Sequence, residues 1–154
     1  MDKQNFTDLL QTKFKMVRIE AGYTQDTMAQ TIGLSKKTLV QIEKERVLPN
    51  WTTCVSLCAL FRDSEVLQTT LGGDPLEVIQ VISRGACAYP KNENLDELWW
   101  ETKQKEAGYT LQFNKISNLY RVIDSANQPL FGSNKEREAD TFFNRRVSDQ
   151  LINA

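Results

Sequence analysis

Residues 24–46 read TQDTMAQTIGLSKKTLVQIEKER, and the rest of the chain is arranged around them. The stretch predicts two short helices joined by a tight turn. Thr24 is placed to cap a helix beginning at Gln25, because its hydroxyl accepts a bond from an amide that the first turn leaves unpaired. Met28 and Ile32 lie one turn apart on that helix, with the small Ala29 beside them where a second helix can cross closely. Gly33 ends it, since glycine adopts a left-handed conformation without a Cβ penalty. Ser35 caps the second helix, whose apolar residues are Leu39 and Ile42.

Projected at about 100° per residue, the second helix has two faces. Lys36, Val40, Lys44, Lys37 and Gln41 span an arc of about 140°, while Leu39, Ile42 and Glu43 occupy about 100° on the other side. The outward face suits a DNA major groove. Lysine donates to the guanine edge, glutamine bonds adenine through two atoms, and valine touches the thymine methyl. A solvated amphipathic helix is the plainer reading of those residues in isolation.

The wider pattern resembles the helix-turn-helix of the Cro/phage-repressor family, also called Xre-like regulators, over about residues 6–71. With Gln25 as the first motif position, the small fifth residue is Ala29 and the ninth is Gly33. The apolar positions four, eight, ten, fifteen and eighteen are Met28, Ile32, Leu34, Leu39 and Ile42. RIEAGYTQ precedes the motif, and QIEKER with a proline-containing loop follows it. The resemblance implies a five-helix, lambda-repressor-like domain over residues 1–72. It also implies that 36–44 is the recognition helix, with Lys36, Lys37, Val40 and Gln41 at base edges. Gln25, Thr38, Lys44 and Arg46 would face phosphates. Arg18 and Glu43 would form a structural ion pair rather than touch DNA. The family often carries glycine where this chain has Glu45. Either that glutamate takes a positive φ at a cost of about 1 kcal/mol, or the loop is shaped differently.

Composition neither supplies nor forbids this reading. The 154 residues carry 19 Lys/Arg against 20 Asp/Glu, so any affinity for nucleic acid must come from a local patch. No apolar run approaches the ~20 residues that span a membrane, and MDKQNFTDLL lacks a signal-peptide core; a cytoplasmic location is expected. Three cysteines and no histidine are present. A zinc site would need Cys54, Cys58, Cys87 and a carboxylate, so buried thiols are the favoured reading, with no metal and no cofactor. Without histidine, a glycine-rich phosphate loop or nucleophile–base spacing, an enzyme is not expected.

Along the chain, residues 3–21 predict one first helix, with Phe6, Leu9, Leu10, Phe14, Val17 and Ala21 at helical spacing. VLPN breaks the chain before a fourth helix from Asn50 or Trp51. Ser64 caps a fifth, Glu65 to Leu71. Asp74, Pro75 and Glu77 signal a connecting helix to about Arg84. Its apolar Leu76, Val78, Ile79, Val81 and Ile82 make it a candidate dimer contact. Residues 85–97 read as linker, giving a 73–97 connecting segment.

From residue 98 the period changes to two. Segments 99–105, 109–116 and 119–124 predict a three-stranded antiparallel sheet, with 129–131 as a further short edge strand. A Ser133/Glu136 capping box opens a last helix whose Ala139, Phe142, Phe143 and Val147 cover the sheet. This α+β unit, 98–154, is expected to dimerise or to dock a protein or small-molecule effector. Arg121, Lys103, Lys105 and Lys115 offer a basic sheet face. The leading expectation is thus a homodimeric regulator, a repressor, on a two-fold-symmetric operator in double-stranded DNA. A protein-interaction module of the same fold, such as an antitoxin or a phage-encoded inhibitor that also autoregulates, is the alternative.

Overall fold

A computed structural model describes residues 1–90 and 96–154. They fall into two compact units, Met1–Tyr89 and Pro90–Ala154. The first is all helical: α1 Lys3–Gln11, α2 Phe14–Glu20, α3 Gln25–Ile32, α4 Lys36–Glu43, α5 Trp51–Leu60, α6 Glu65–Leu71 and α7 Pro75–Arg84.

The single helix expected over 3–21 is therefore two, and residues 1–72 hold six helices rather than five. The interruption is small. Lys13 donates its amide to the Leu10 carbonyl at 2.8 Å, an i→i−3 bond, and the Thr12 hydroxyl donates to the Leu9 carbonyl at 3.2 Å. A threonine hydroxyl that competes for helix carbonyls tightens the turn locally. Phe6, Leu10, Phe14 and Val17 stay in register across it, all fully buried. The apolar stripe that predicted one helix thus survives in two.

Those four side chains form a core with Met28, Ala29, Leu39, Ile42, Cys54, Leu57, Cys58, Phe61, Leu67 and Ile79. Each fully buried large side chain contributes about 1.5–3 kcal/mol relative to exposure. Asp74 caps α7 by accepting the Leu76 amide at 3.1 Å and also holds Arg62 through two bonds, 3.0 and 2.6 Å. The Arg62 guanidinium keeps the Asp74 carboxyl below the usual carboxylate range. Most of the apolar surface of α7 is used internally. Ile79 is buried and Leu76, Val78 and Ile82 pack on the core, which leaves Val81 at 45% exposure.

The second unit contains α8 Asp96–Trp99, β1 Trp100–Glu106, β2 Tyr109–Asn114, β3 Tyr120–Ile123, β4 Pro129–Ser133 and α9 Glu136–Ile152. The sheet has four antiparallel strands in the order β1-β2-β3-β4, not three. The edge segment pairs with β3, with a shift of register between Val122 and Ile123: Val122 opposes Phe131 and Tyr120 opposes Ser133. Proline is tolerated at the start of an edge strand, where no ladder partner needs its amide. Trp99 belongs to α8, so the strand starts one residue later than expected. Of the expected linker, 91–95 lie outside the described residues, while 96–97 belong to α8.

Ala107 and Gly108, with φ of +53° and +84°, make the β1–β2 turn. Two positive values give a hairpin turn whose twist matches that of the strands. Asn114 builds the next turn, its Oδ1 accepting the Ile116 and Ser117 amides at 2.9 Å each. Leu111 and Val122 meet Ala139, Phe143 and Val147 of α9 in a small core, and Phe142 stacks on Phe131 with ring centroids 4.7 Å apart. The Ser133/Glu136 capping box does not form. Lys135 occupies the N-cap position, and the Ser133 hydroxyl donates to Glu138 at 2.7 Å while accepting the Lys135 amide at 3.0 Å. The asparagine at 134 and that lysine carry the chain two residues too far for Ser133 to cap. On the sheet, Arg121 is engaged: its guanidinium lies 3.9 Å over Trp100, and Nε donates to Gln112 at 2.8 Å. Among the described residues, no helix is long and apolar enough to cross a membrane.

Candidate nucleic-acid interface

Three local devices fix the angle between α3 and α4. Thr24 accepts the Thr27 amide at 3.1 Å, and Ser35 accepts the Thr38 amide at 3.1 Å. Between them Gly33 sits at φ +91°, and the amides of Gly33 and Leu34 both reach the Ala29 carbonyl, at 2.9 and 2.8 Å. No atom would lie within 4 Å of a Cβ at Gly33, so the demand for glycine is conformational rather than steric. Met28 and Ala29 of α3 and Leu39 and Ile42 of α4 then bury themselves in the core. Their burial turns the opposite side of α4 outward.

On that outward side Lys36 and Lys37 are exposed and Val40 and Gln41 half-buried. Lys44 and Arg46 are exposed, and Thr38 is half-buried with its hydroxyl 2.8 Å from that of Ser35. Among the described residues, Lys37, Lys44 and Arg46 make no ion pair. Lys36 does: its Nζ lies 3.1 Å from Asp26 Oδ2, in the first turn of α3.

Behind the face lies a buried network. Glu43 accepts from Arg18 Nε at 2.8 Å with one oxygen and from Gln25 Nε2 at 3.0 Å with the other. Arg18 Nη1 also donates to the Tyr23 carbonyl at 3.1 Å. Only 3% of the Glu43 side chain and 15% of that of Arg18 is exposed. The network ties α2, α3 and α4 together and turns the Gln25 amide inward toward Glu43. Sequence reasoning found the Arg18–Glu43 pairing only through the family resemblance, and it missed both the Gln25 bond and the Asp26–Lys36 pair. The acid at 26 was legible as a favourable first-turn charge, but its partner is ten residues away across the turn.

A helix-turn-helix family matches residues 14–62, which run from the start of α2 to just past α5. A relative in Bacillus subtilis (strain 168), the uncharacterized HTH-type transcriptional regulator YgzD, is 29% identical over 52 residues, covering 34% of this chain and 79% of that protein. No solved structure matches the chain. The match leaves α1, α6 and α7 outside the helix-turn-helix segment, although all three pack on its core.

The helix-turn-helix closes on the residue that departs from the family's glycine. Glu45 has φ +59°. The Arg46 amide bonds the Gln41 carbonyl at 3.0 Å and the Glu45 amide bonds the Ile42 carbonyl at 2.9 Å, the paired bonds of a left-handed helix end. The loop is therefore of the glycine type, with a glutamate held in it. Glu45→Gly is expected to stabilise the first unit by about 1 kcal/mol. Urea unfolding compared with the parent chain measures this, and a loss of stability would show that Glu45 makes a compensating interaction.

Of the three thiols considered for zinc, Cys54 and Cys58 are core residues and Cys87 is half-buried. Burial pushes Cys54 and Cys58 up to about 12. Among the described residues, no group of three potential ligands is arranged to hold a metal ion. A raised thiol pKa means that the folded chain keeps a proton which the unfolded chain releases from about pH 9. That contribution to stability is present below pH 9 and is lost as pH rises toward about 12. In the native chain a thiol reagent should label the half-buried Cys87 first, with Cys54 and Cys58 reacting only at the rate of opening. Peptide mapping after brief alkylation reads the order. Equal labelling of all three would mean that the helical core is open.

Proposed function

We propose that the chain is a sequence-specific DNA-binding transcriptional regulator of the cytoplasm, acting as a repressor on a two-fold-symmetric operator that it binds as a homodimer. The observation that supports this reading best is the outward face of α4, where Lys37, Val40 and Gln41 stand clear of the core beside Lys36. The helix-turn-helix match and the regulator name carried by YgzD support the same reading. In this mode α4 enters the major groove, with Lys36, Lys37, Val40 and Gln41 at base edges. Thr38, Lys44 and Arg46 lie along phosphates. Gln25 contributes its second amide hydrogen and the N-terminus of α3 to the backbone. The Arg18–Glu43 pair acts structurally by fixing α4 against α2.

Residues 1–72 form the DNA-binding part in this reading and 73–97 the connection. Residues 98–154 provide dimerisation or the docking of a protein or small-molecule effector. Repression follows from occlusion of promoter DNA by two half-sites about one helical turn, roughly 34 Å, apart.

The test is selection from a random duplex library with the full chain at physiological salt. Recovery of a short palindromic motif, bound with affinity that falls steeply as salt rises, is the expected result. If only salt-sensitive binding without a motif is recovered, the reading of α4 as a sequence reader is lost.

A further inference from the structure

A carboxylate borders the recognition face proposed above, and its position is informative. Asp26 lies in the first turn of α3, and its Oδ2 holds Lys36 Nζ at 3.1 Å across the turn. Lys36 is the first residue of α4, the end of that helix which reaches base edges when it enters a groove. We propose that Asp26 is a specificity-determining residue that restrains Lys36 until a guanine edge replaces it. This rests on the DNA-binding reading of α4.

The physical case is a competition between three partners for one ammonium. Both members of the Asp26–Lys36 pair are exposed, at 66% and 55% of their side chains, so the pair is weak and can exchange. On arbitrary DNA the competitor is a phosphate, a diffuse gain that comes with counterion release. On the correct site it is the O6 and N7 acceptors of guanine, a two-point contact of fixed geometry. A weak restraint is overcome more completely by the stronger competitor. The full cost of breaking the pair is therefore met on the operator, whereas on random DNA Lys36 can stay with Asp26 at little cost, so the carboxylate lowers the ratio of operator to random-DNA affinity.

The test uses the full chain and two fluorescent duplexes, the motif recovered by selection and a scrambled version, each titrated at several salt concentrations. Asp26→Asn should tighten binding to the motif about five-fold at physiological salt, the most that release of one exposed pair returns. Binding to the scrambled duplex should tighten less, so that discrimination rises. Asp26→Asn with Lys36→Gln should lose the gain, because the effect passes through Lys36. Equal tightening on both duplexes, persistence of the gain without Lys36, or no change at all would each overturn the proposal. The underlying reading fails separately: the parent chain would then show no preference between the two duplexes. Far-ultraviolet circular dichroism establishes that each variant is folded before its binding is compared.

Discussion

Glu43→Ala is expected to destabilise the first unit by about 3–5 kcal/mol, the usual cost of removing one partner from a buried ion pair. The carboxylate is 3% exposed and is used by two donors on two other helices. Its removal leaves the Arg18 guanidinium with the Tyr23 carbonyl as its remaining hydrogen-bond acceptor and strands the Gln25 amide. The penalty comes from that uncompensated charge rather than from loss of a large attraction. Replacing both partners together, as Arg18→Met with Glu43→Leu, should therefore restore most of the loss. Set against a total stability of roughly 5–15 kcal/mol for a domain, the single change removes a large fraction. Urea unfolding followed by circular dichroism measures all three variants. A loss below about 1 kcal/mol for Glu43→Ala would place the network among ordinary surface pairs. The same network joins stability to the proposed interface, since it sets how α4 lies against α3.

What the sequence revealed and what it hid divide according to how local the physics is. Thr24, Gly33 and Ser35 act within four residues of their own positions, so both helices, their caps and the turn could be read directly. Asp74 with Pro75 announced α7 for the same reason. The break at Thr12 was hidden because the apolar stripe crosses it unchanged. The fourth strand was partly hidden: five residues beginning with proline make a weak pattern, and the pairing of Val122 with Phe131 that completes it is not local. Ser133 looked like a cap because a serine and a glutamate stood three apart, yet the chain used Glu138 instead. At the candidate interface the outward residues of α4 followed from periodicity, while the bonds that constrain Gln25 and Lys36 came from residues ten to eighteen positions away. Periodicity tells which side of a helix is free, but not which neighbour holds a side chain there.

That distinction sets up the second large effect. Lys37→Ala combined with Gln41→Ala is expected to abolish sequence preference while leaving the fold intact. Both side chains project from the face opposite Leu39 and Ile42, and removing them disturbs neither the core nor the Ser35 cap. The backbone carbonyl of Gln41 continues to accept the Arg46 amide, so the left-handed end of α4 also survives. Each two-point contact with a base edge is worth about 1–3 kcal/mol of discrimination. Losing two should reduce the preference for the motif over scrambled DNA by about two orders of magnitude or more. Lys44→Ala with Arg46→Ala provides the contrast. These residues flank the helix end, and their loss should weaken binding to both duplexes alike and lower the salt slope by about 0.9 for each phosphate contact removed. Repeating the library selection with each double variant separates the two roles. Should the Lys37/Gln41 variant recover the parent motif with undiminished preference, α4 does not read bases, and the outward face must serve another partner.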